Sequence, residues 1–447
     1  MEFDILVRGG TVVGEEMLAG DIGIVDGSIV AVEAHLGGSA REEIEAHGLH
    51  VLPGCVDVHV HFNDPGRTDW EGFATGSEAA SAGGTTCVVD MPLNASPPTV
   101  DGAAFRLKLA AAEGTSRVDF AFWGGLVPGN IGDLPELAEL GVVGFKAFMC
   151  PSGIGDFAAA DDETLREGMA CAAELGLPVA VHAESAELTA RLAADAAAAG
   201  RRGWRDYASS RPVEAELEAI ARALSLAEET GCSLHVVHAS SARGVRLVRE
   251  ARARGVAATC ETCPHYLLLD EDDLAELGAV AKCAPPLRAR EEVEALWTEV
   301  RSGTVELIAS DHSPAPASLK TDDDALAVWG GISGCQSLLA TTLTEGLARE
   351  LELRQLADLL SAHPAERFRL PRKGRIEPGF DADLALLDLG DESELRAADL
   401  RYRHRHSPFV GRRLRGLVRR TLVRGQTVWR SGEAVGAPPS RLVRPER

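Results

Sequence analysis

Lysine is scarce in this chain. Of the 45 Lys and Arg among 447 residues, five are lysine (Lys108, Lys146, Lys282, Lys320 and Lys373), so each has a reason to be looked for. Positive charge is short as a whole, because 68 Asp and Glu leave a formal net charge of −23. A field of that sign repels phosphate backbones and anionic lipid surfaces, and neither nucleic acid nor membrane is expected as a partner. Nine cysteines are too few for a disulfide framework at this length and fit free thiols in a reducing compartment. No stretch reaches the roughly 18 apolar residues of a membrane span. Met1-Glu2-Phe3-Asp4 carries an acid where a secretory signal needs positive charge, and no apolar core follows it. The expectation is a soluble, cytoplasmic protein. A Gly-x-Gly-x-x-Gly turn after the first βα strand is also missing, which disfavours a dinucleotide-binding sheet.

The rest of the composition is that of an ordinary globular protein, with 45% hydrophobic and 25% charged residues, and the length allows one large domain or two. Residues 1–50 read as short strands: Asp4–Arg8, a break at Gly9-Gly10, Asp21–Val25, a hairpin turn at Asp26-Gly27, then Ser28–Val32. From residue 51 apolar β-rich runs alternate with Ala/Leu/Glu/Arg stretches of helical character. Strands are expected near 51–60, 85–91, 117–123, 143–149, 178–183, 233–239, 256–261 and 304–310, with helices such as 101–113, 161–175, 213–230 and 241–254 between them. Eight βα units predict an α/β fold, a (β/α)8 TIM barrel over 51–372. Strand patterns return at 382–387, 417–424 and 426–430, so 1–50 and 373–447 are expected to join in a small flanking β-sandwich. The nine arginines of Arg401–Arg424 are read as a solvated or subunit-contact surface, given the acidic whole.

The candidate chemistry lies at the ends of the predicted strands, which a (β/α)8 barrel gathers on one face. Strand one ends in His59 and His61, whose side chains point the same way because strand residues alternate faces. Alone, the pair reads equally well as two core or rim histidines. Strand four buries Lys146, strand five ends in His182, strand six in His238 and strand eight in Asp311. Taken singly, a strand-end histidine is a rim residue and a strand lysine snorkels. Four histidines and an aspartate converging on one face point to a divalent metal, with imidazole and carboxylate suiting Zn²⁺ first and Co, Mn, Fe or Ni next. As an ammonium, Lys146 cannot ligate a cation. Burial lowers its pKa, and a neutral amine can add CO₂ to give a carbamate that bridges two metals. Cys260-Glu261-Thr262-Cys263 is a C-x-x-C without a second pair, read as two strand-end thiols without redox function. His265 and His312 are either partners of the metal ligands or satisfied rim residues.

The set Asp57-Val58-His59-Val60-His61, Lys146, His182, His238 and Ser310-Asp311-His312 resembles the cyclic amidase branch of the amidohydrolase superfamily, which holds allantoinases, dihydroorotases and dihydropyrimidinases (hydantoinases). The resemblance spans nearly the whole chain, including Lys373-Gly374-Arg375-Ile376-Glu377-Pro378-Gly379 near the flanking domain. It implies two metals bridged by hydroxide and a carboxylated lysine: His59, His61 and Asp311 on one metal, His182 and His238 on the other, Lys146 between them. It implies a hydrolase of cyclic amides in which Asp311 passes a proton to the leaving nitrogen, and, by analogy, a homotetramer.

Within the branch, dihydroorotases carry an Arg where this chain has Asn63, and dihydropyrimidinases a Tyr that Phe148-Met149-Cys150-Pro151-Ser152-Gly153 lacks. With Met91-Pro92-Leu93-Asn94, Lys282-Cys283-Ala284-Pro285-Pro286 and Trp329-Gly330-Gly331-Ile332-Ser333-Gly334, these departures are similar to allantoinases, which implies allantoin as substrate and purine degradation as setting. Expected substrate contacts are Asn94, Ser313 and the backbone of Ala284 and Gly331, with a turn-capping role an equal alternative for Asn94. Hydantoins, dihydropyrimidines or dihydroorotate are the alternative substrates. A relative that had lost its ligands and kept only a structural role would show gaps in this set, and all six positions are filled.

Overall fold

Gly54 marks the point where the chain changes sheets. In the computed structural model, which describes residues 2–321, 323–436 and 440–447, His50–Pro53 and Cys55–Val60 are separate strands on either side of it. A side chain at 54 would put its Cβ 2.2 Å from Thr86, so the crossing needs glycine. The run expected as one strand over 51–60 is therefore divided. Its first part pairs with Thr11–Val12 and with Leu384–Leu387 in the flanking sheet, and its second part opens the barrel.

The barrel strands are β1 (Cys55–Val60), β2 (Thr85–Asp90), β3 (Asp119–Phe122), β4 (Phe145–Phe148), β5 (Val179–His182), β6 (Leu234–Val236), β7 (Ala258–Thr262) and β8 (Leu307–Ile308). They pair in parallel, β1 to β3 in sequence and β4 to β8 in sequence. Val143 N donates to Phe122 O at 2.9 Å across the β3–β4 seam, and His61 N donates to His312 O at 2.8 Å across the β8–β1 seam, so the ring closes. Strands β1 to β3 are buried along their whole length, as a parallel sheet covered on both faces requires. Three of the expected helices start one residue late because their first residue is the cap. Asp101, Asp161 and Ser241 each accept a backbone N–H from three residues on, and the helices proper are Gly102–Ala112, Asp162–Glu174 and Ala242–Ala253. The fourth, Val213–Thr230, has the expected bounds.

The flanking strands form one nine-stranded sheet rather than two hydrogen-bonded layers. Ile22, Ile24 and Ile29 from one end of its strand order share an apolar core with Leu384, Leu386 and Leu422 from the other, so the sheet curls over itself. Its first strand, Glu2–Val13, runs unbroken through Gly9-Gly10 with a register shift there, where a break was expected. The hairpin at Asp26-Gly27 joins Met17–Val25 to Ser28–Glu33. Parts of 373–447 do not belong to this sheet. Tyr402 and Phe409 are buried in the barrel's apolar core, and Val443 N donates to Phe120 O at 2.7 Å, adding the tail beside β3. The arginine-rich stretch is ion-paired: Arg415 meets Glu392 at 2.8 Å and Arg419 meets Asp388 at 2.9 Å, while Arg412, Arg420 and Arg424 meet Asp273, Glu42 and Asp119.

Candidate metal centre

The strand-end residues converge at one mouth of the barrel, though two of them lie beyond the strands expected to carry them. Lys146 is inside β4, His182 ends β5, and His59 and His61 flank the end of β1. Strands β6 and β8 stop at Val236 and Ile308, short of the expected ends. The chain then turns left-handed at His238 (φ 40°) and Asp311 (φ 44°). Neither residue is glycine, and such a conformation costs on the order of 1–3 kcal/mol unless the surroundings hold it. Here Glu261 Oε1 accepts from His238 N at 3.3 Å, and buried Asp57 accepts from Ser310 N at 3.0 Å.

His59 Nε2 and His61 Nε2 lie 3.2 and 3.5 Å from the same oxygen, Asp311 Oδ1, and one ligand atom from each of the three falls within 4.8 Å of the others. On the other side, His182 Nδ1 is 3.0 Å from His238 Nε2. Lys146 is fully buried and its Nζ has no hydrogen-bond partner among the described residues; neither has His238 Nδ1. Burial pushes Lys146 down to about 7, against the pull of Glu261 and Asp311, so much of it is a free amine at neutral pH. Burial likewise lowers the pKa of His61, His182 and His238 and favours their neutral imidazoles. Burial works against the Asp311 carboxylate, but His59 and His61 outweigh it and hold the group well below the usual range. Imidazole nitrogens, an ionised carboxylate and an amine without a hydrogen-bond partner among the described residues make a donor set that fits divalent cations.

A layer behind these residues fixes their orientation, and the sequence reading missed it. Fully buried Glu261 bonds His59 Nδ1 and meets His235 Nε2 at 3.1 Å. It sits inside the C-x-x-C segment that was read for its thiols. Cys260 and Cys263 are buried and free, and burial pushes Cys260 up to about 12, so the segment's chemistry is the carboxylate between them. Glu184 Oε2 lies 2.7 Å from His182 Nε2 and is paired with Arg211. The Phe148 ring stacks on His182, with centroids 4.5 Å apart. Of the two unassigned histidines, His312 accepts from Gly334 N at 3.1 Å through Nδ1, while buried His265 has no partner at either ring nitrogen among the described residues. Neither lines the cavity.

That cavity has a volume of about 350 Å³ and opens over His59, His61, His182, His238 and Asp311. Asn94, Ala284, Ser313 and Gly331, the candidate substrate contacts, line it. Asn94 is also left-handed (φ 68°), so a turn role and a cavity-facing side chain coexist. Asn63 does not line it; its amide donates to Pro314 O at 3.3 Å. Two cations do, Arg211 and Lys282, in loops where no periodicity singled them out. Tyr207 also lines the wall, but its hydroxyl is spent on Cys283 O at 2.8 Å.

Comparison with known proteins agrees with this geometry. The model of the amidohydrolase family matches residues 50–428. The chain is 59% identical over 446 residues to an allantoinase of Rubrobacter xylanophilus, covering 100% of this chain and 98% of the relative. It is 53% identical to an allantoinase of Solibacter usitatus, over 99% and 97% of the two chains. Among solved structures, the L-hydantoinase (dihydropyrimidinase) of Arthrobacter aurescens superposes with a TM-score of 0.96 at 35% identity, covering 99% and 100% of the two chains.

Proposed function

The chain belongs to the amidohydrolase family, and from that premise we propose that it hydrolyses the cyclic amide bond of allantoin to give allantoate. The observation that carries the substrate is full-length identity to proteins named allantoinase at 59% and 53%, and the cavity agrees with it. Phe148, not a tyrosine, stacks on His182, and the Tyr207 hydroxyl is engaged elsewhere, so a phenol donor to the reacting carbonyl is missing among the described residues. Allantoin is neutral and rich in N–H and C=O groups, which suits Asn94, Ser313 and the backbone of Ala284 and Gly331.

In this reading His59, His61 and Asp311 would hold one divalent ion and His182 and His238 a second, and Lys146, as a CO₂-derived carbamate, would serve both. Zinc is the first expectation for such donors. Ions held there would lower the pKa of a bound water toward neutrality and polarise the scissile carbonyl. The protein's own groups do the rest. Glu261 and the Glu184–Arg211 pair keep His59 and His182 in position. Asp311 meets both histidines through Oδ1, and its Oδ2 carries the proton from the attacking water to the ring nitrogen as the C–N bond breaks. The water oxygen ends in the new carboxylate, and the nitrogen leaves as a ureido N–H. Cytoplasmic location and a homotetramer complete the proposal.

The likeness to a hydantoinase favours a second reading, in which hydantoins or dihydropyrimidines are the better substrates. Side-by-side kinetics of metal-loaded protein on allantoin, hydantoin, dihydrouracil and dihydroorotate decide between them. Allantoin is expected to have the highest kcat/KM, and a higher value for any of the others would overturn the assignment.

A further inference from the structure

Two of the five lysines act beside the cavity in a way the metal centre does not account for. Lys282 lines the cavity, donates to Val328 O, and holds its ammonium 4.4 Å from the centroid of the Tyr207 ring. An ammonium has three N–H groups, and one protein acceptor takes one of them. Among the described residues no carboxylate forms an ion pair with it, unlike Arg211, which Glu184 neutralises. Burial, reinforced by the Arg211 charge, lowers Lys282 to about 8, so it stays mostly protonated at neutral pH.

Lys320 lies behind the same wall. It donates to Ala279 O at 3.0 Å, Trp329 O at 3.0 Å and Gly331 O at 2.8 Å, which spends all its N–H groups. Gly331 N donates back to Lys282 O at 2.7 Å, and the left-handed Gly331 (φ 124°) leaves no room for a side chain, since a Cβ would lie 2.3 Å from Ser313 O. The segment Val328–Gly331 is thus pinned by one lysine from outside the cavity and one from within it.

We propose that Lys282 is the specificity-determining residue for the ureido tail of the substrate, donating an unspent N–H to the tail's carbonyl oxygen, while Lys320 is the positioning residue for the wall beside it. The inference rests on allantoin being the substrate. The tail is what distinguishes allantoin from unsubstituted hydantoin, whose ring needs the metal centre alone. A charge-assisted hydrogen bond to the tail therefore adds affinity for one ring compound and not the other.

The test compares Lys282→Met with wild type on allantoin, hydantoin and dihydroorotate, with metal content measured alongside. For allantoin kcat/KM falls ~30-fold, mostly through KM, while for hydantoin it changes less than ~3-fold, the discrimination expected when a buried donor loses its acceptor. Metal content stays unchanged. Lys282→Gln, which keeps an N–H donor, recovers part of the loss. Lys320→Met instead lowers activity on both rings together and lowers Tm. Equal losses on both rings in Lys282→Met, or no loss on allantoin, would overturn the proposal. So would a larger loss on dihydroorotate than on allantoin, which would make Lys282 a carboxylate grip. Wild-type protein inactive on allantoin would strike down the substrate assignment itself, a failure read without any variant.

Discussion

Two buried lysines sit among groups able to hold a cation, and they behave in opposite ways. Lys373 donates to Asp119 and Asp383 at 2.6 Å each and lies 2.9 Å from Asp381. Burial disfavours its charge, yet the three carboxylates outweigh burial and raise its pKa above the usual range. Arg424, Arg441 and Arg372 complete the neutralisation of these acids. The carboxylates are close enough for a metal, but the chain's own ammonium already stands between them. Lys146 is as deeply buried, and its Nζ has no hydrogen-bond or carboxylate partner among the described residues, only the Phe148 ring at 5.0 Å, so burial pushes it down instead. The closed cluster ties β3 to the segments at 381–383 and 441, and is structure. The open one has donors to spare, and is chemistry. A lysine near acids does not distinguish the two; whether the charges are saturated does.

The largest effect is expected from the open cluster. Lys146→Ala should lower kcat/KM for allantoin about 10⁴-fold, roughly 5 kcal/mol, and short carboxylic acids should restore part of it by standing in for the carbamate. Lys146→Arg with wild-type activity would remove the basis for that role. In the closed cluster, Lys373→Met strands buried carboxylates at a cost of about 3–5 kcal/mol. A large drop in Tm is expected, with kinetics of the remaining folded protein close to normal. An unchanged Tm would mean the arginines alone suffice.

Glu261→Gln sits between the two kinds of cluster. It should cost about 10–100-fold in activity or metal affinity, because His59 Nδ1 loses its charged partner. The smallest effect is in the pH dependence of stability. Lys373 is raised above its ordinary 10.5, so its contribution is complete below pH 10.5 and is lost as pH rises through the folded-state value above that. Asp119, held below 3.8 by Lys373 and Arg424 against burial, contributes fully above pH 3.8, and that contribution is lost as pH falls through its lower folded-state value. Melting curves against pH should therefore slope at both extremes, and Lys373→Met should flatten the alkaline arm. A variant with the wild-type alkaline slope would contradict the assignment.

The barrel and the candidate ligands were legible because histidines and an aspartate follow apolar β-rich runs, and strand alternation fixes the direction of His59 and His61. The short strands β6 and β8 were not legible, since the left-handed turns at His238 and Asp311 depend on backbone N–H groups donating to Glu261 and Asp57, contacts that only the folded barrel supplies. Glu261 lies 202 residues from the histidine it orients, and no local pattern connects them. Arg211 and Lys282 come from loops, where spacing says nothing about which way a side chain faces. Asn63 fails in the other direction: its identity marked the missing arginine, but its side chain turns away to Pro314. The return of the tail to β3 is likewise a long-range pairing, between residues near 120 and 442.

The central claim is that Lys146, whose Nζ has no hydrogen-bond partner among the described residues, becomes the bridging group of a metal centre that opens allantoin. It is tested most directly by ¹³C NMR of active protein equilibrated with ¹³C-bicarbonate, with metal content counted on the same sample. One labelled carbamate carbon per chain, absent from Lys146→Arg, together with about two divalent ions per chain, is the result expected. Protein that turns over allantoin at full rate with no carbamate signal and no metal would contradict it.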